Sequence, residues 1–260
     1  MLALQGNKAH VRGRLLLIAA VLAWPAMDAF AVDCGGALGL GSDNVYRGIS
    51  LGGEDPSWIL DGHCRVGDGW IAGAGASRVH LAGRRPGAQL SLYVDRNWQF
   101  DDDWRGKVGI VHYDGARRGR LDGLRYDEIN AAVGYKGFWR ASLAFSPNAS
   151  DLYFTNALAP ISDGAGKSHW AAWAETTFHQ PVSGRLAADA GFGLSVPGGK
   201  GESSYRYGSI GLSYSIADVN FYATRIWTDA ISWQYDYLGS TFVMRLPSRA
   251  EWVGTIIWTF

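Results

Sequence analysis

Charged residues recur at alternate positions of several segments in which apolar and polar residues also alternate. An alternation of period two predicts β-strands with one apolar and one polar face. If these strands close into a barrel with the polar face inside, the charges set a transverse electric field across the interior. Alternatively, they form packed ion pairs that plug the barrel. The predicted lumen-lining residues, roughly balanced in sign, are Asp95, Arg105, Lys107, Glu128, Arg140, Glu175, Arg185 and Asp189.

Tyr46 and Arg47 stand where the first predicted strand runs into its loop. We predict that they lie at the outer mouth, where the cation of Arg47 would attract anions. The alternative, which the usual behaviour of loop charges favours, is a solvated charge or a contact at the rim.

Residues 230–248 carry four aromatic side chains, and one interpretation is that they fold over the mouth as a lid or a ligand-binding platform. The alternative is an extension of the two flanking strands above the bilayer, and the β-prone composition slightly favours it. The aromatic residues of this segment are Trp233, Tyr235, Tyr237 and Phe242.

The sequence does not favour hydrolytic chemistry. A serine hydrolase needs a serine within hydrogen-bonding reach of a histidine that a third group orients. The histidines after the N-terminal segment are scattered over separate strands and loops, so the sequence predicts no catalytic residues: His63, His80, His112, His169 and His179. Two widely separated cysteines and no paired histidine spacing likewise predict no metal site and no cofactor.

Cys34 and Cys64 fall opposite each other if 34–45 and 57–66 pair as a hairpin about residue 49. Both share their strand face with apolar residues. In an oxidising compartment this placement predicts a cross-strand disulfide. Two free thiols, or a register that differs by two residues, remain open because turn length fixes register only loosely.

The elements that must position these residues are segments of about ten residues separated by turn signals. Ala88–Phe100 is the clearest segment, with Arg96 as the misfit on its apolar face, tolerable only where its long side chain reaches an interface. Short connections are expected near 67–69, 101–103, 136–137, 180–184 and 217–218, and longer ones near 47–56, 79–87, 115–123, 147–167, 197–203 and 230–248. This interleaving predicts about twelve strands, with ten to fourteen within the error of the boundaries.

The end of the chain has the pattern of a closing barrel strand. Trp252, Ile256, Trp258 and Phe260 share one face, and the chain finishes in phenylalanine. Lipid requires a closed barrel in which every backbone polar group is paired. An edge strand of a soluble sandwich is the alternative for this stretch alone.

Residues 1–31 have the pattern of a secretory signal peptide: a basic region, an apolar run of residues 15–24 and the small-x-small site Ala29-Phe30-Ala31. The predicted domain is therefore 32–260, an all-β chain folded as a single antiparallel transmembrane β-barrel with short periplasmic turns and longer outer loops. A net charge of zero argues against nucleic acid as a partner.

Residues 42–50, with the sequence Ser-Asp-Asn-Val-Tyr-Arg-Gly-Ile-Ser, precede an Asp55-Pro56 pair. This motif resembles the TorF-type porin family of proteobacteria, as do residues 205–222 and the terminal Trp-x-Phe. The resemblance covers most of the exported chain. It implies a bacterial outer-membrane location and a pore, and it supplies no catalytic residues. Resemblance to other outer-membrane proteins further implies that Trp258 and Phe260 are an assembly signal for the barrel-assembly machinery.

The function expected from these patterns is passive diffusion of small polar solutes through a porin-like channel in outer-membrane lipid. A closed barrel with a role in adhesion, loop-mediated binding or membrane integrity is the alternative, and an outer-membrane hydrolase is a more distant one. One-dimensional patterns predict no oligomeric state.

Overall fold

The computed structural model describes residues 32–80, 86–115, 125–150, 168–198, 203–237 and 240–260. Alternating apolar and polar residues give these segments an all-β structure. The strands are β1 (Val32–Gly41), β2 (Val45–Tyr46), β3 (Ile49–Ser50), β4 (Ser57–Val66), β5 (Trp70–Val79), β6 (Gly87–Gln99), β7 (Trp104–Gly115), β8 (Tyr126–Tyr135), β9 (Trp139–Ser150), β10 (Ser168–Ser183), β11 (Leu186–Pro197), β12 (Tyr205–Ile216), β13 (Val219–Thr228), β14 (Ile231–Tyr237), β15 (Ser240–Leu246) and β16 (Arg249–Thr259).

Twelve of these strands form a closed antiparallel barrel in the order β1-β16-β13-β12-β11-β10-β9-β8-β7-β6-β5-β4. The predicted fold class and strand number are confirmed. We call the end with the brief connections, where β4 turns into β5, the short-turn end; the other is the long-loop end. Two small hairpins, β2–β3 and β14–β15, belong to long connections. No helix among the described residues has the length and apolar character needed to cross a bilayer.

Two connections refine the predicted boundaries. Strand β10 continues through the predicted turn at 180–184 as far as Ser183, with a register shift between Pro181 and Ser183. Proline has no N–H to donate to the ladder, and a bulge accommodates it there. The β14–β15 hairpin keeps the register of the β13–β16 ladder, since Ile231 opposite Leu246 continues the pairing of Val219 with Trp258. This segment is thus an extension of its flanking strands, while the side chains of Trp233, Tyr235, Tyr237 and Phe242 lie outside the described part.

The last residue completes the barrel seam. Gly36 and Phe260 exchange two backbone hydrogen bonds of 2.7 and 3.0 Å between N and O. The Phe260 ring lies over Gly36, where a Cβ would come within 2.8 Å of its Cζ atom. Glycine at position 36 and phenylalanine at position 260 therefore fit as a pair.

The outer face of the barrel wall is apolar. Leu92, Ile110, Leu143 and Ile210 are each more than half exposed on this face. The guanidinium of Arg96 lies 5.6 and 5.9 Å from the ring centroids of Trp70 and Trp98, beside the β4–β5 turn. Exposed aromatic residues occupy this face near the short-turn end: Trp70, Trp98, Phe100, Trp104, Phe138, Phe178, Tyr214, Phe221, Trp258 and Phe260.

The predicted disulfide is present. Cys34 lies directly opposite Cys64 in the β1–β4 ladder, and the two sulfurs are bonded. The hairpin about residue 49 therefore has the register that the sequence predicted. The bridge joins the two strands from which the first long loop arises.

Candidate functional site

The long loop between β1 and β4, residues 42–56, folds into the barrel; we call it the inward loop. It arises beside β1, yet its Arg47 binds Glu128 on β8. In the barrel order β8 lies five strands from β1 in one direction and seven in the other. A loop that reaches the opposite wall through side chains of the inner face crosses the interior.

The tip of the inward loop is a tight hairpin. Val45 pairs with Ser50 and Tyr46 with Ile49, which leaves Arg47 and Gly48 as the two turn residues. Their φ angles are 51° and 78°. A two-residue turn with both φ values positive matches the twist of antiparallel strands and normally carries glycine, asparagine or aspartate. Arg47 holds this left-handed conformation at a cost of about 1 kcal/mol, so its contacts must stabilise it there.

Arg47 makes a two-pronged ion pair with Glu128. Its Nη1 and Nη2 atoms donate hydrogen bonds of 2.8 and 3.1 Å to the two carboxylate oxygens. The side chains are only 7% and 4% exposed. A planar guanidinium and a carboxylate match in this parallel geometry, which adds orientation to charge attraction. This burial excludes a solvated loop charge at Arg47, and the bound Glu128 leaves its cation paired rather than free to attract anions at the outer mouth.

Aromatic rings complete the surroundings of Arg47. Its Cζ atom lies 4.0 Å from the ring centroid of Trp173 and 4.6 Å from that of Tyr46. Burial works against the charge, but Tyr46 and Glu128 outweigh it, so the pKa of Arg47 is raised. The cation is thus held between a carboxylate and two π faces.

Gly48 packs closely against strands β12 and β13 of the barrel wall. Its carbonyl oxygen accepts a 2.5 Å hydrogen bond from Thr228 Oγ1, and the Arg47 carbonyl accepts one of 3.3 Å from the Tyr205 hydroxyl. A Cβ at position 48 would lie 2.5 Å from Thr228 Oγ1 and 2.6 Å from Tyr207 Cβ. Only glycine lets the backbone come this close to β12 and β13.

The base of the inward loop is fastened to β5. Leu51 and Val79 are almost fully buried against each other, and Tyr46 and Ile49 pack on them. The Leu51 carbonyl accepts a 2.7 Å hydrogen bond from His80 N. His80 Nδ1 also lies 2.6 Å from Asp55 Oδ2. Apolar packing and hydrogen bonds therefore hold both the tip and the base of the loop.

Several predicted lumen-lining carboxylates have partners on the inner face. Lys107 donates to Asp95 at 2.7 Å, and Tyr207 donates to Glu175 at 2.7 Å. His179 Nδ1 lies 2.7 Å from Asp189 Oδ1. Each of these acids thus has a hydrogen-bonding partner on the wall, and Asp95 is paired with a lysine cation.

The predicted arginines behave differently. Arg105 and Arg140 are exposed on the same alternate set as these acids, and no carboxylate binds either of them among the described residues. Arg185 lies in the turn between β10 and β11, at the rim of the short-turn end, rather than within a strand. A path for solutes along all of these side chains stays a prediction.

The structure adds interior residues that the sequence did not single out. Tyr207, Trp173 and Thr228 contact the inward loop or its partners. Asp61 also faces the interior, bonded to His63 and to the Tyr93 hydroxyl at 2.8 Å each. Their strand parity was readable from the sequence, but an inward loop to contact was not.

Two cavities remain beside the inward loop. One of about 160 Å³ lies between Arg47, Gly48 and the wall at Glu175 and Tyr207. Another of about 190 Å³ lies between Asp43, Asn44 and the wall at Thr224 and Thr255. The loop narrows the interior near the long-loop end while leaving polar space beside itself.

Four histidines each contact an aspartate through Nδ1. The pairs are His63–Asp61, His80–Asp55, His112–Asp127 and His179–Asp189, at 2.6–2.8 Å. A hydrolase would need a serine hydroxyl at the other ring nitrogen. Among the described residues, no serine hydroxyl bonds any of these four rings.

Comparison with known proteins shows similarity in structure alone. The chain is similar to a solved structure of the NanC porin, with 10% identity, a TM-score of 0.54, and coverage of 87% of this chain and 99% of that one. It is also similar to a structure from a study of in-meso crystallization of membrane proteins, with 8% identity, a TM-score of 0.52, and coverage of 87% and 83%. Neither a protein-family model nor a curated protein matches the sequence.

At these identities the similarity shows the fold, an antiparallel β-barrel of the outer-membrane porin type. Membership in the TorF-type porin family stays a prediction.

Proposed function

We propose that this chain forms a narrow outer-membrane channel through which small polar solutes diffuse passively. The main support is the arrangement of the interior. Its wall is polar, the inward loop crosses it, and cavities of about 160 and 190 Å³ remain beside this loop. Twelve-stranded barrels fall between small barrels filled by side chains and the wide aqueous barrels of 16–18 strands. The fold shared with the NanC porin supports this proposal.

The proposal includes location and assembly. Residues 1–31, which lie outside the described part, would direct export, and the apolar outer face would contact outer-membrane lipid. Trp258 and Phe260 stand at the closing seam, a suitable place for a signal read by the barrel-assembly machinery. The lumen would carry the solute past Asp95, Lys107, Glu175 and Asp189, with no catalytic step.

A closed barrel is the second candidate, and the contacts that hold the inward loop in place favour it. Arg47, Glu128 and the Gly48 contacts tie that loop to strands on several sides of the interior. If the remaining cavities do not connect, the barrel would act through its outer loops, in adhesion or binding, or in membrane integrity.

Single-channel recording decides between these candidates. Residues 32–260, refolded and inserted into a planar bilayer, should give discrete current steps. The double variant Arg47→Gln/Glu128→Gln removes the ion pair without leaving a lone buried charge, and it should give larger steps because the loop is released. Steps of unchanged size would show that the loop does not limit the pore.

The control is Lys136→Gln, a substitution at an exposed turn residue on the short-turn end, which should leave the step size unchanged. A well-inserted barrel that carries no current, either as the native sequence or as the double variant, would overturn the channel proposal in favour of the closed barrel.

A further inference from the structure

Two arginines near the short-turn end of the interior stand in one row of the barrel wall. Arg105 on β7 pairs with Gly134 on β8, and Gly134 pairs with Arg140 on β9. Residues paired in this way point to the same side of the sheet. The two arginines are therefore two strands apart, about 10 Å between backbones, and the residue between them has no side chain.

The space above Gly134 is open. A Cβ built there would have only the Trp139 carbonyl oxygen nearby, at 3.4 Å. Arginine side chains are long enough to lean toward each other over this gap. Two guanidinium groups facing a shared open space form a site where one carboxylate or phosphate group can accept hydrogen bonds from both.

None of the acids described above forms an ion pair with Arg105 or Arg140. Asp95 is paired with Lys107, while Asp189 and Glu175 keep their charge and are hydrogen-bonded to His179 and to the Tyr207 hydroxyl. Among the described residues, Arg105 and Arg140 have no ion-pair partner, and Arg185 adds a third exposed cation at the same rim. Arg65 is excluded from the group because Asp33 lies opposite it on β1.

The absence of a bound carboxylate at these two arginines points to the charge of the solute. We infer that Arg105 and Arg140 form an anion-recruiting pair that makes the channel prefer small organic anions bearing carboxylate or phosphate groups. This inference rests on the proposed channel function and specifies its substrate class. Positive charge that lacks an acidic partner raises the local concentration of anions in a narrow polar passage.

The first test is the reversal potential in a potassium chloride gradient. The native barrel should favour chloride over potassium. The Arg105→Gln/Arg140→Gln variant should lower the anion-to-cation permeability ratio by a factor of at least about five, because one unit charge about 4 Å from an ion in water already changes the local concentration of that ion by this factor. The matched control is Arg96→Gln, which removes an arginine near the same end but on the outer face, and should leave the ratio unchanged.

A binding measurement separates this inference from the channel proposal. Calorimetric titration of the refolded barrel in detergent with citrate should show binding that the double variant loses and Arg96→Gln keeps. Such binding in a barrel that conducts no ions would contradict the channel proposal but support the inference about the anion-recruiting pair. A conducting barrel whose selectivity and citrate binding are the same in the double variant would overturn the pair alone.

Discussion

The two ends of the barrel interior treat the same residue type in opposite ways. Near the long-loop end Arg47 is 7% exposed and bound to a carboxylate, whereas near the short-turn end Arg105 and Arg140 are exposed and bound to no carboxylate of the described residues. The inward loop explains the difference, because it displaces water from the first region and leaves the second open. A buried charge requires a partner, while a solvated one does not. For these three arginines, pairing with a carboxylate therefore goes together with burial.

This contrast divides the work of the proposed channel. The long-loop end would select by size, since the inward loop and the wall leave only small cavities there. The short-turn end would select by charge. An arginine substitution at the long-loop end should therefore change mainly the stability of the barrel. The matching substitution at the short-turn end should change mainly its ion selectivity.

The largest difference should come from neutralising one arginine at each end. Arg47→Met leaves Glu128 buried without its partner and should lower the free energy of unfolding by about 3–5 kcal/mol. Arg105→Met removes a solvated charge and should change it by no more than about 0.5 kcal/mol. Guanidinium unfolding from lipid vesicles, followed by tryptophan fluorescence, measures both.

A second variant tests the cause. Arg47→Met/Glu128→Gln removes the lone buried charge and should recover a large part of the lost stability. If the two single arginine variants were equally stable, the division of the interior into a closed and an open region would be wrong.

Two glycines provide the next comparison. Gly48 and Gly137 both have positive φ angles, 78° and 72°, so alanine is strained at either position. A Cβ on Gly48 would also collide with Thr228 and Tyr207, whereas none of the surrounding atoms lies within 4 Å of a Cβ on Gly137. Gly48→Ala should thus lose about 1–3 kcal/mol more than Gly137→Ala, measured by the same unfolding assay. Equal losses would mean that the wall does not hold the hairpin tip.

Much of the barrel could be predicted from the sequence, because its causes are local. Period-two alternation and turn residues predicted twelve strands, and hairpin arithmetic placed Cys34 opposite Cys64. The direction of the inward loop could not be predicted. Its decisive contact joins Arg47 to Glu128, which lies 81 residues along the chain. The same limit applies to the predicted charge balance, since strand parity places a charge on the inner face without revealing whether a neighbour binds it.

The interior tyrosines should show an effect of similar size to that of the two glycines. Tyr207 donates a 2.7 Å hydrogen bond to Glu175 beside the inward loop. Tyr207→Phe should therefore lower the free energy of unfolding by about 1.5–3 kcal/mol, the usual range for a hydrogen bond to a charged group, and by less where water enters to replace it. Tyr222→Phe, on the open part of β13, should change it by less than about 0.5 kcal/mol. A larger loss at Tyr222 than at Tyr207 would contradict the assignment of the closed region.

The smallest expected effect is a pH dependence at the base of the inward loop. The hydrogen bond from His80 lowers the pKa of Asp55, and Arg78 adds attraction. A lowered pKa means that Asp55 contributes stability above its unfolded value of about 3.9, and that this contribution is lost as the pH falls through the folded pKa. Hydrogen exchange at residues 50–55, corrected for intrinsic rates, should therefore accelerate below about pH 4. Asp55→Asn should remove that acceleration while the exchange of the β8–β9 ladder stays unchanged; an identical pH profile in the variant would exclude Asp55 as the group that titrates. Because Asp55 is solvent-accessible, this loosening should remain local, and the buried Arg47–Glu128 contact should still hold the tip of the loop in place.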